Sequence, residues 1–231
     1  MSAADTNSRG SHRSVRVWDT PVRVFHWVLV VLVSTSWVTS EIGGNAMTYH
    51  MWSGYTILTL VVFRIVWGFV GSEHARFGSF LYGPRAIFGY ASAMFGSSSR
   101  SYPGHNPLGG VSVVLMLASL LLQASTGLFA NDDILTEGPL AKFVSGATSS
   151  LLTTIHRYNF YVLVVLIAIH IAAVLFYLVV KRENLISAMF TGRKRVPAHA
   201  DFTDGRMTSA WVAVAVVIVI AAAVGVLVNW S

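Results

Sequence analysis

The chain has no cysteine among its 231 residues. This excludes disulfides, thiolate-bound iron–sulfur clusters and the C-x-x-C-H attachment of a c-type haem. Charged residues are also scarce at 11%, whereas hydrophobic residues make up 54%. Soluble domains contain about 25% charged residues. The composition therefore predicts an integral membrane protein, in which any haem is held noncovalently.

The few charges are mostly basic, with a formal net charge of +6. In a membrane protein, basic cytoplasmic connections explain such an excess, so we expect no nucleic-acid partner. The first nineteen residues lack an apolar run directly after their basic residues and an A-x-A-like cleavage site. We interpret them as a retained tail and not as a signal peptide.

Five segments contain about the twenty apolar residues needed to cross a bilayer. They cover residues 22–41, 50–70, 108–130, 156–180 and 210–230. The tail and the second and fourth connections are basic, whereas the first and third are acidic. The positive-inside rule therefore predicts a cytoplasmic N-terminus and a periplasmic C-terminus. The expected fold is an all-α membrane helical bundle.

This bundle divides into a cytoplasmic tail, a four-helix core, a cytoplasmic linker and a fifth transmembrane helix. The corresponding ranges are 1–20, 21–195, 196–209 and 210–231. The fifth helix has no ionisable side chain, so we expect it to pack without taking part in chemistry. In the second connection, FLYGPRAIFGYASAMF fits either a short interfacial helix or an ordered loop.

Four histidines lie within or beside the apolar segments. His156 and His170 are fourteen positions apart in the fourth segment, about 21 Å along a helix and within about 40° of whole turns. With the predicted topology, His26 is near the cytoplasmic end of the first segment and His50 near the outer end of the second. Depth then pairs His26 with His170 and His50 with His156.

Each predicted pair bridges two helices and leaves a slot for a flat macrocycle. We interpret the four side chains as the iron ligands of two haem b groups, one inner and one outer. Iron with two imidazoles is closed to substrate, which favours electron transfer. Zinc is disfavoured because the pairs lie too far apart to share one tetrahedral site. Any one membrane histidine also fits a hydrogen bond or a proton relay, so a haem-free transporter is an alternative.

Three more residues are candidates for contacts with the cofactors. Arg64 lies fourteen positions after His50 and is expected to pair with an inner haem propionate, to snorkel, or to pair with a carboxylate. Arg23 fits a propionate contact or simple membrane flanking. His105 fits propionate binding, proton transfer at a quinone pocket, or capping of the third helix together with Asn106. We expect three other histidines to be solvated: His12, His74 and His199.

Several stretches carry a family resemblance across about residues 15–195. They are VWDTPVRVFHW around His26, YHMWSGYTILTLVVFRIVWGFVGS around and after His50, GHNPLGG at the third segment, and the H-x13-H helix. The chain resembles the bacterial cytochrome b561 and nickel–iron-hydrogenase b-type cytochrome group. The resemblance implies a four-helix core that binds two b haems through the same four histidines. It also implies electron exchange between a quinone pool and a partner, often a periplasmic hydrogenase or c-type cytochrome.

We therefore expect a di-haem, quinone-linked electron carrier, or a subunit of a quinone-linked oxidoreductase, in a bacterial inner membrane. We expect the protein to contact membrane lipid, and two copies of the chain could form a homodimer. The cationic candidates favour a quinone near the inner haem, and the acidic loop NDDILTEGPLAK would steer a basic periplasmic redox protein. Some similar proteins oxidise superoxide and reduce quinone. The net acidic outer loops disfavour that alternative.

Overall fold

The structure, a computed structural model, describes residues 12–94, 102–132, 136–197 and 202–230. Five helices are long and apolar enough to span a membrane, which confirms the predicted all-α membrane bundle. In chain order the elements are β1 (His12–Arg16), α1 (Thr20–Ile42), α2 (Met47–Val70), α3 (Phe77–Phe80), α4 (Pro84–Ala93), α5 (Pro107–Gly127), α6 (Gly146–Val179), α7 (Leu185–Thr191), β2 (Arg193–Pro197) and α8 (Ala210–Asn229).

Local sequence explains where the first and third spans begin. Asp19 caps α1 by accepting a hydrogen bond from the backbone N–H of Val22 at 2.8 Å. Asn106 caps α5 in the same way through Gly109, also at 2.8 Å. In both helices a proline follows within the first turn, where its missing N–H costs nothing.

The helix that contains the fourth span extends beyond the apolar segment that the sequence predicted. α6 has 34 residues and begins at Gly146, ten residues before the predicted apolar segment at 156–180. The segment before it is polar, and Ser145 caps the helix by accepting from the Thr148 N–H at 3.2 Å. At 1.5 Å per residue α6 is about 51 Å long, against about 30 Å for the hydrocarbon core. His156 therefore lies nearly three turns inside the helix.

The central helix of the bundle is α2, which packs against α1, α5 and α8. Its Val61 and Trp67 are fully buried in the main apolar cluster, to which α5 contributes Leu117 and α6 contributes Leu163. α6 packs against α5, but its backbone approaches α1 and α2 at isolated points at most. All residues of these four helices are described. A slot therefore separates α6 from the α1–α2 pair.

Two short strands form a feature that the sequence did not predict. β1 pairs antiparallel with β2, from His12 opposite Pro197 to Arg16 opposite Arg193. The ribbon joins residues of the predicted tail (1–20) to β2. The strand β2 crosses the predicted boundary between the core (21–195) and the linker (196–209). Gly192 precedes β2 with a φ of +77° and packs against the Trp18 carbonyl, where a Cβ would clash.

The ribbon lies at the end of the bundle where α1, α5 and α8 begin and α2 and α6 end. We call it the basic end, because most arginines flank the helices there. The second connection crosses it and forms the short helix α4, as one of the two sequence interpretations predicted. Tyr90 of α4 hydrogen-bonds Tyr177 of α6, and Phe88 remains 75% exposed.

Candidate functional site

The slot between α6 and the α1–α2 pair contains four histidines in two groups. The rings of His26 (α1) and His170 (α6) have centroids 6.4 Å apart, with planes inclined by 54°. The rings of His50 (α2) and His156 (α6) have centroids 6.2 Å apart, with planes inclined by 79°. The structure thus brings together the same partners that depth paired in the sequence.

The His50–His156 pair is oriented by backbone carbonyls of neighbouring helices. His50 Nδ1 lies 2.8 Å from the carbonyl of Ser36, and His156 Nδ1 lies 2.8 Å from the carbonyl of Gln123. A carbonyl only accepts, so each Nδ1 donates its proton. Each Nε2 therefore keeps its lone pair, which is the tautomer that a metal ligand requires.

A buried polar network supports the carbonyl that His156 contacts. Asn159 Nδ2 donates to the Ser119 carbonyl at 2.9 Å and to Gln123 Oε1 at 2.7 Å. The Ser119 hydroxyl donates to Asn159 Oδ1 at 3.1 Å. Sequence reasoning missed these three residues, because a lone asparagine or serine in an apolar helix carries no signal of its partner. The network fastens α5 to α6 one turn from His156.

Arg64 is enclosed within the bundle and only 3% exposed. Its guanidinium lies 5.6 Å from the centre of the Phe77 ring, and its Nη1 has no hydrogen-bond partner among the described residues. It therefore does not snorkel to the interface. Within the described ranges no carboxylate lies within 4 Å of it. The nearby acid Asp19 uses both oxygens elsewhere, on the Val22 N–H and on Trp67 Nε1.

Arg23 connects the start of α1 to the end of α7. Its Nη1 donates to the Phe190 carbonyl and its Nη2 to the Thr20 hydroxyl at 3.1 Å, whereas Nε is buried without a partner in the described part of the chain. Neither sequence interpretation of Arg23 included this tertiary bond. The Nε–H therefore remains available to an acceptor that the described residues do not supply.

His105 packs between aromatic rings at the start of α5. Its ring centroid lies 4.7 Å from that of Trp18 and 4.8 Å from that of Phe80, and its Nδ1 is buried and unpartnered within the described residues. Burial, followed by the positive charge of Arg64, lowers the pKa of His105 to about 3. The ring is therefore neutral at physiological pH.

His74 contradicts the expectation that it is solvated. Its Nε2 is buried without a partner among the described atoms, and a Cβ on Gly205 would come within 2.6 Å of its ring. Burial lowers its pKa, and the opposing effect of Glu73 is smaller. The linker before α8 returns over this ring, which no local pattern reveals. The side chain of His12, and His199 as a whole, lie outside the described residues.

Unpartnered polar groups gather around the His26–His170 pair. Among the described residues, all six buried side-chain nitrogens without a hydrogen-bond partner lie toward the basic end: Arg23 Nε, His26 Nδ1, Trp27 Nε1, Arg64 Nη1, His74 Nε2 and His105 Nδ1. Buried polar atoms normally have partners, so this concentration indicates a polar ligand at that end. No group of three or more metal-ligating side chains forms in the described ranges.

A family model described as prokaryotic cytochrome b561 matches residues 17–192. A probable Ni/Fe-hydrogenase B-type cytochrome subunit from Rhizobium leguminosarum bv. viciae is 25% identical over 226 residues, covering 83% of this chain and 94% of that protein. A protein with the same description from Rhodobacter capsulatus is 25% identical over 235 residues, covering 88% and 87%. No solved structure matches the chain significantly.

Proposed function

Because the chain belongs to the prokaryotic cytochrome b561 family, it is a membrane b-type cytochrome for electron transfer, and we propose that it carries two haem b groups. We further propose that it moves electrons between the quinone pool and a redox protein on the opposite side of a bacterial inner membrane. The two histidine pairs across one slot are the observation that supports this proposal most directly.

The spacing of each pair fits one six-coordinate iron. Two imidazoles on opposite sides of a metal ion, bonded at about 2.0–2.1 Å, have ring centres about 6.5 Å apart. The separations of 6.4 and 6.2 Å lie close to that value. We therefore assign His26 with His170 to one haem and His50 with His156 to the other. A haem b iron held between two imidazoles exchanges a single electron and has no open position for substrate.

The protein's contribution to the His50–His156 centre is orientation. The Ser36 and Gln123 carbonyls accept the two Nδ1 protons and hold each ring about its Cβ–Cγ bond. Such bonds also increase the electron-donating strength of the imidazole, which tunes the potential of the metal. His26 Nδ1 has no such acceptor among the described residues, so we expect the two centres to differ in potential.

At the His26–His170 centre, the protein supplies unused hydrogen-bond donors. We assign Arg64 Nη1 to a haem propionate, because a buried guanidinium needs an anion and no carboxylate of the described residues lies within 4 Å of it. Arg23 Nε and His105 Nδ1 are further donors on the same side. They suit a second propionate or a quinone carbonyl, so we place quinone exchange at the basic end.

We propose that the basic end faces the cytoplasm, following the positive-inside rule. The opposite end carries Glu41, Asp132 and Glu137 against Lys142 and Arg157. This surface would meet a periplasmic redox protein, a c-type cytochrome or a hydrogenase-like partner, and acidic groups there would speed encounter with a basic partner. The relatives' description as hydrogenase cytochrome subunits supports a protein partner of this kind.

The test is a dithionite-reduced minus oxidised spectrum of the purified protein, with haem counted per chain. We expect low-spin b-type bands and two haems. His156→Ala should lose the haem of the His50–His156 pair and keep the other. His26→Ala should lose the haem of the His26–His170 pair and keep the other. His12→Ala is the matched control and should keep both. A single haem in the wild type, or loss of both on each substitution, contradicts the pairing. A haem-free protein from haem-replete cells would favour the proton-relay transporter.

A further inference from the structure

A polar cavity at the basic end lies outside the histidine slot. It has a volume of about 260 Å³ and lies among the start of α1, the ribbon and the linker before α8. Its lining includes three threonines, the carboxylate of Asp19 and three arginines, which are Arg16, Arg23 and Arg193.

The charge in this cavity is unbalanced. The register of the ribbon places Arg16 directly opposite Arg193, and like charges in that position repel. Neither guanidinium has a carboxylate within 4 Å in the described part of the chain. Arg23 also lines the cavity and adds a third positive charge. An anion between these groups would relieve the repulsion.

Asp19, the acidic residue of the lining, forms no ion pair within 4 Å with Arg16 or Arg193 in the described part of the chain. One of its carboxylate oxygens accepts from the Val22 N–H at 2.8 Å and the other from Trp67 Nε1 at 2.9 Å. Asp204 hydrogen-bonds the backbone N–H of Arg16 at 2.7 Å but forms no ion pair with its guanidinium. The three arginines of the lining therefore outnumber its one carboxylate, which leaves a net positive charge for an external anion.

The surroundings of the cavity place it at the depth of lipid headgroups. The apolar helices α1 and α8 both begin at its edge, and the side chains of Trp211 and Phe190 beside it are 80% and 59% exposed. Exposed aromatic rings at the ends of spanning helices lie in the headgroup region. Guanidinium groups bind phosphate oxygens in a bidentate manner, and drug-sized ligands fill about 300–1,000 Å³. A cavity of 260 Å³ suits a smaller phosphate ester.

We propose that this cavity binds the phosphate of an anionic phospholipid, held by Arg16 and Arg193. The lipid links the ribbon, the start of α1 and the start of α8, so it stabilises the docking of the fifth helix on the core. The cytoplasmic leaflet, toward which the basic end is proposed to face, is rich in anionic lipid. The site is separate from the histidine pairs, and its test does not depend on haem content.

The experiment uses the full chain, delipidated in a neutral detergent. Its melting temperature is followed by tryptophan fluorescence as phosphatidylglycerol, phosphatidylcholine or inorganic phosphate is added. At a hundredfold excess over its dissociation constant, phosphatidylglycerol should raise the melting temperature by about 5–10 °C. Phosphatidylcholine should raise it by less than a third of that shift. Equal shifts from the two lipids would overturn the proposal.

Variants locate the effect in the cavity. The double variant Arg16→Gln with Arg193→Gln should lose most of the shift, whereas Arg195→Gln should keep it. Arg195 lies on the same strand, is exposed and does not line the cavity. Equal losses in both proteins would indicate a general charge effect and overturn the site. A full shift with inorganic phosphate alone would overturn the lipid as the source of the phosphate.

A measurement on the wild type covers the case in which the double variant does not fold. Native mass spectrometry of the protein, released from mixed phosphatidylglycerol–phosphatidylcholine micelles, should show one retained phosphatidylglycerol per chain. Excess inorganic phosphate should not remove it. Retention of both lipids in proportion to their supply would overturn the proposal.

Discussion

Replacing Asn159 with leucine tests whether the polar network between α5 and α6 positions His156. Leucine has a similar volume but no hydrogen-bonding group. The substitution removes three bonds: two donated by Nδ2, to the Ser119 carbonyl and to Gln123 Oε1, and one accepted from the Ser119 hydroxyl. The His156 side chain itself is not changed.

The loss of stability follows from the number of bonds. Interhelical hydrogen bonds in a membrane contribute about 0.6 kcal/mol each on average, so Asn159→Leu should cost about 2 kcal/mol. For a chain of this size, that lowers the melting temperature by about 4–8 °C. Ser119→Ala removes one bond and keeps the Ser119 carbonyl as an acceptor. It should cost about a third as much.

The effect on redox potential should be confined to one centre. Gln123 accepts from Asn159 with its side chain and from His156 with its backbone carbonyl. Loosening Gln123 weakens the His156 bond, which reduces the donor strength of the ligand and raises the potential by on the order of tens of millivolts. His170 lies eleven residues from Asn159, about 16 Å along α6, so its centre should not shift.

The assay is a potentiometric titration followed at the visible bands and fitted as two one-electron components. Asn229→Leu is the control, because the Asn229 amide bonds the Gly225 carbonyl within α8 alone. Only one component should move in Asn159→Leu, and neither should move in the control. Reduced stability with both potentials unchanged would refute the positioning of His156 by this network. Equal shifts of both components would indicate a general change in packing.

Three further substitutions test other parts of the structure. Arg64→Met should lower the potential of the His26–His170 centre by on the order of tens of millivolts, because a buried cation near the iron disfavours the ferric state. If the variant keeps its haem and its redox titration is unchanged, the propionate assignment is rejected. Burial lowers the pKa of His74, so at low pH the unfolded chain binds a proton that the folded chain does not. The free energy of unfolding should therefore fall as the pH drops below about 6.5, by at most about 1.4 kcal/mol per pH unit. His74→Gln should flatten the melting temperature between pH 7.5 and pH 5, and a slope equal to that of the wild type would contradict this. A Cβ on Gly127 would lie 3.0 Å from the His156 ring, whereas one on Gly225 meets nothing within 4 Å. Gly127→Val should therefore lower haem content by about one per chain, measured by pyridine haemochrome, while Gly225→Val retains both haems; equal content in the two variants would show that the ring tolerates the displacement.

Much of the arrangement of the four histidines could be predicted because it depends on local periodicity. A bilayer requires about twenty apolar residues and satisfied backbone groups in each crossing, so hydrophobic runs alone indicated five helices. Helical geometry then related His156 to His170, and alternating topology related each of them to a histidine on another helix. Those relations need no knowledge of side-chain packing.

The start of α6 shows where such reasoning ends. Hydropathy measures what the membrane requires, and it places the fourth span at residue 156. The helix itself extends through a polar segment to Gly146, because the Ser145 cap and continuous backbone hydrogen bonds stabilise it beyond the membrane. A hydropathy profile identifies the apolar residues of a helix but not the polar residues by which the helix extends further.

The sequence by itself determined the membrane class, the number of spans and the relative depth of the four histidines. Only the tertiary structure decided the pairing of β1 with β2, the burial of the His74 Nε2 atom and the bond from Arg23 to Phe190. These features join segments that are distant along the chain and lie at the basic end. There, water, backbone or lipid can each satisfy a polar group, so local sequence does not select one partner. Within the slot, by contrast, only helical periodicity and membrane depth had to be satisfied, and both are local properties of the chain.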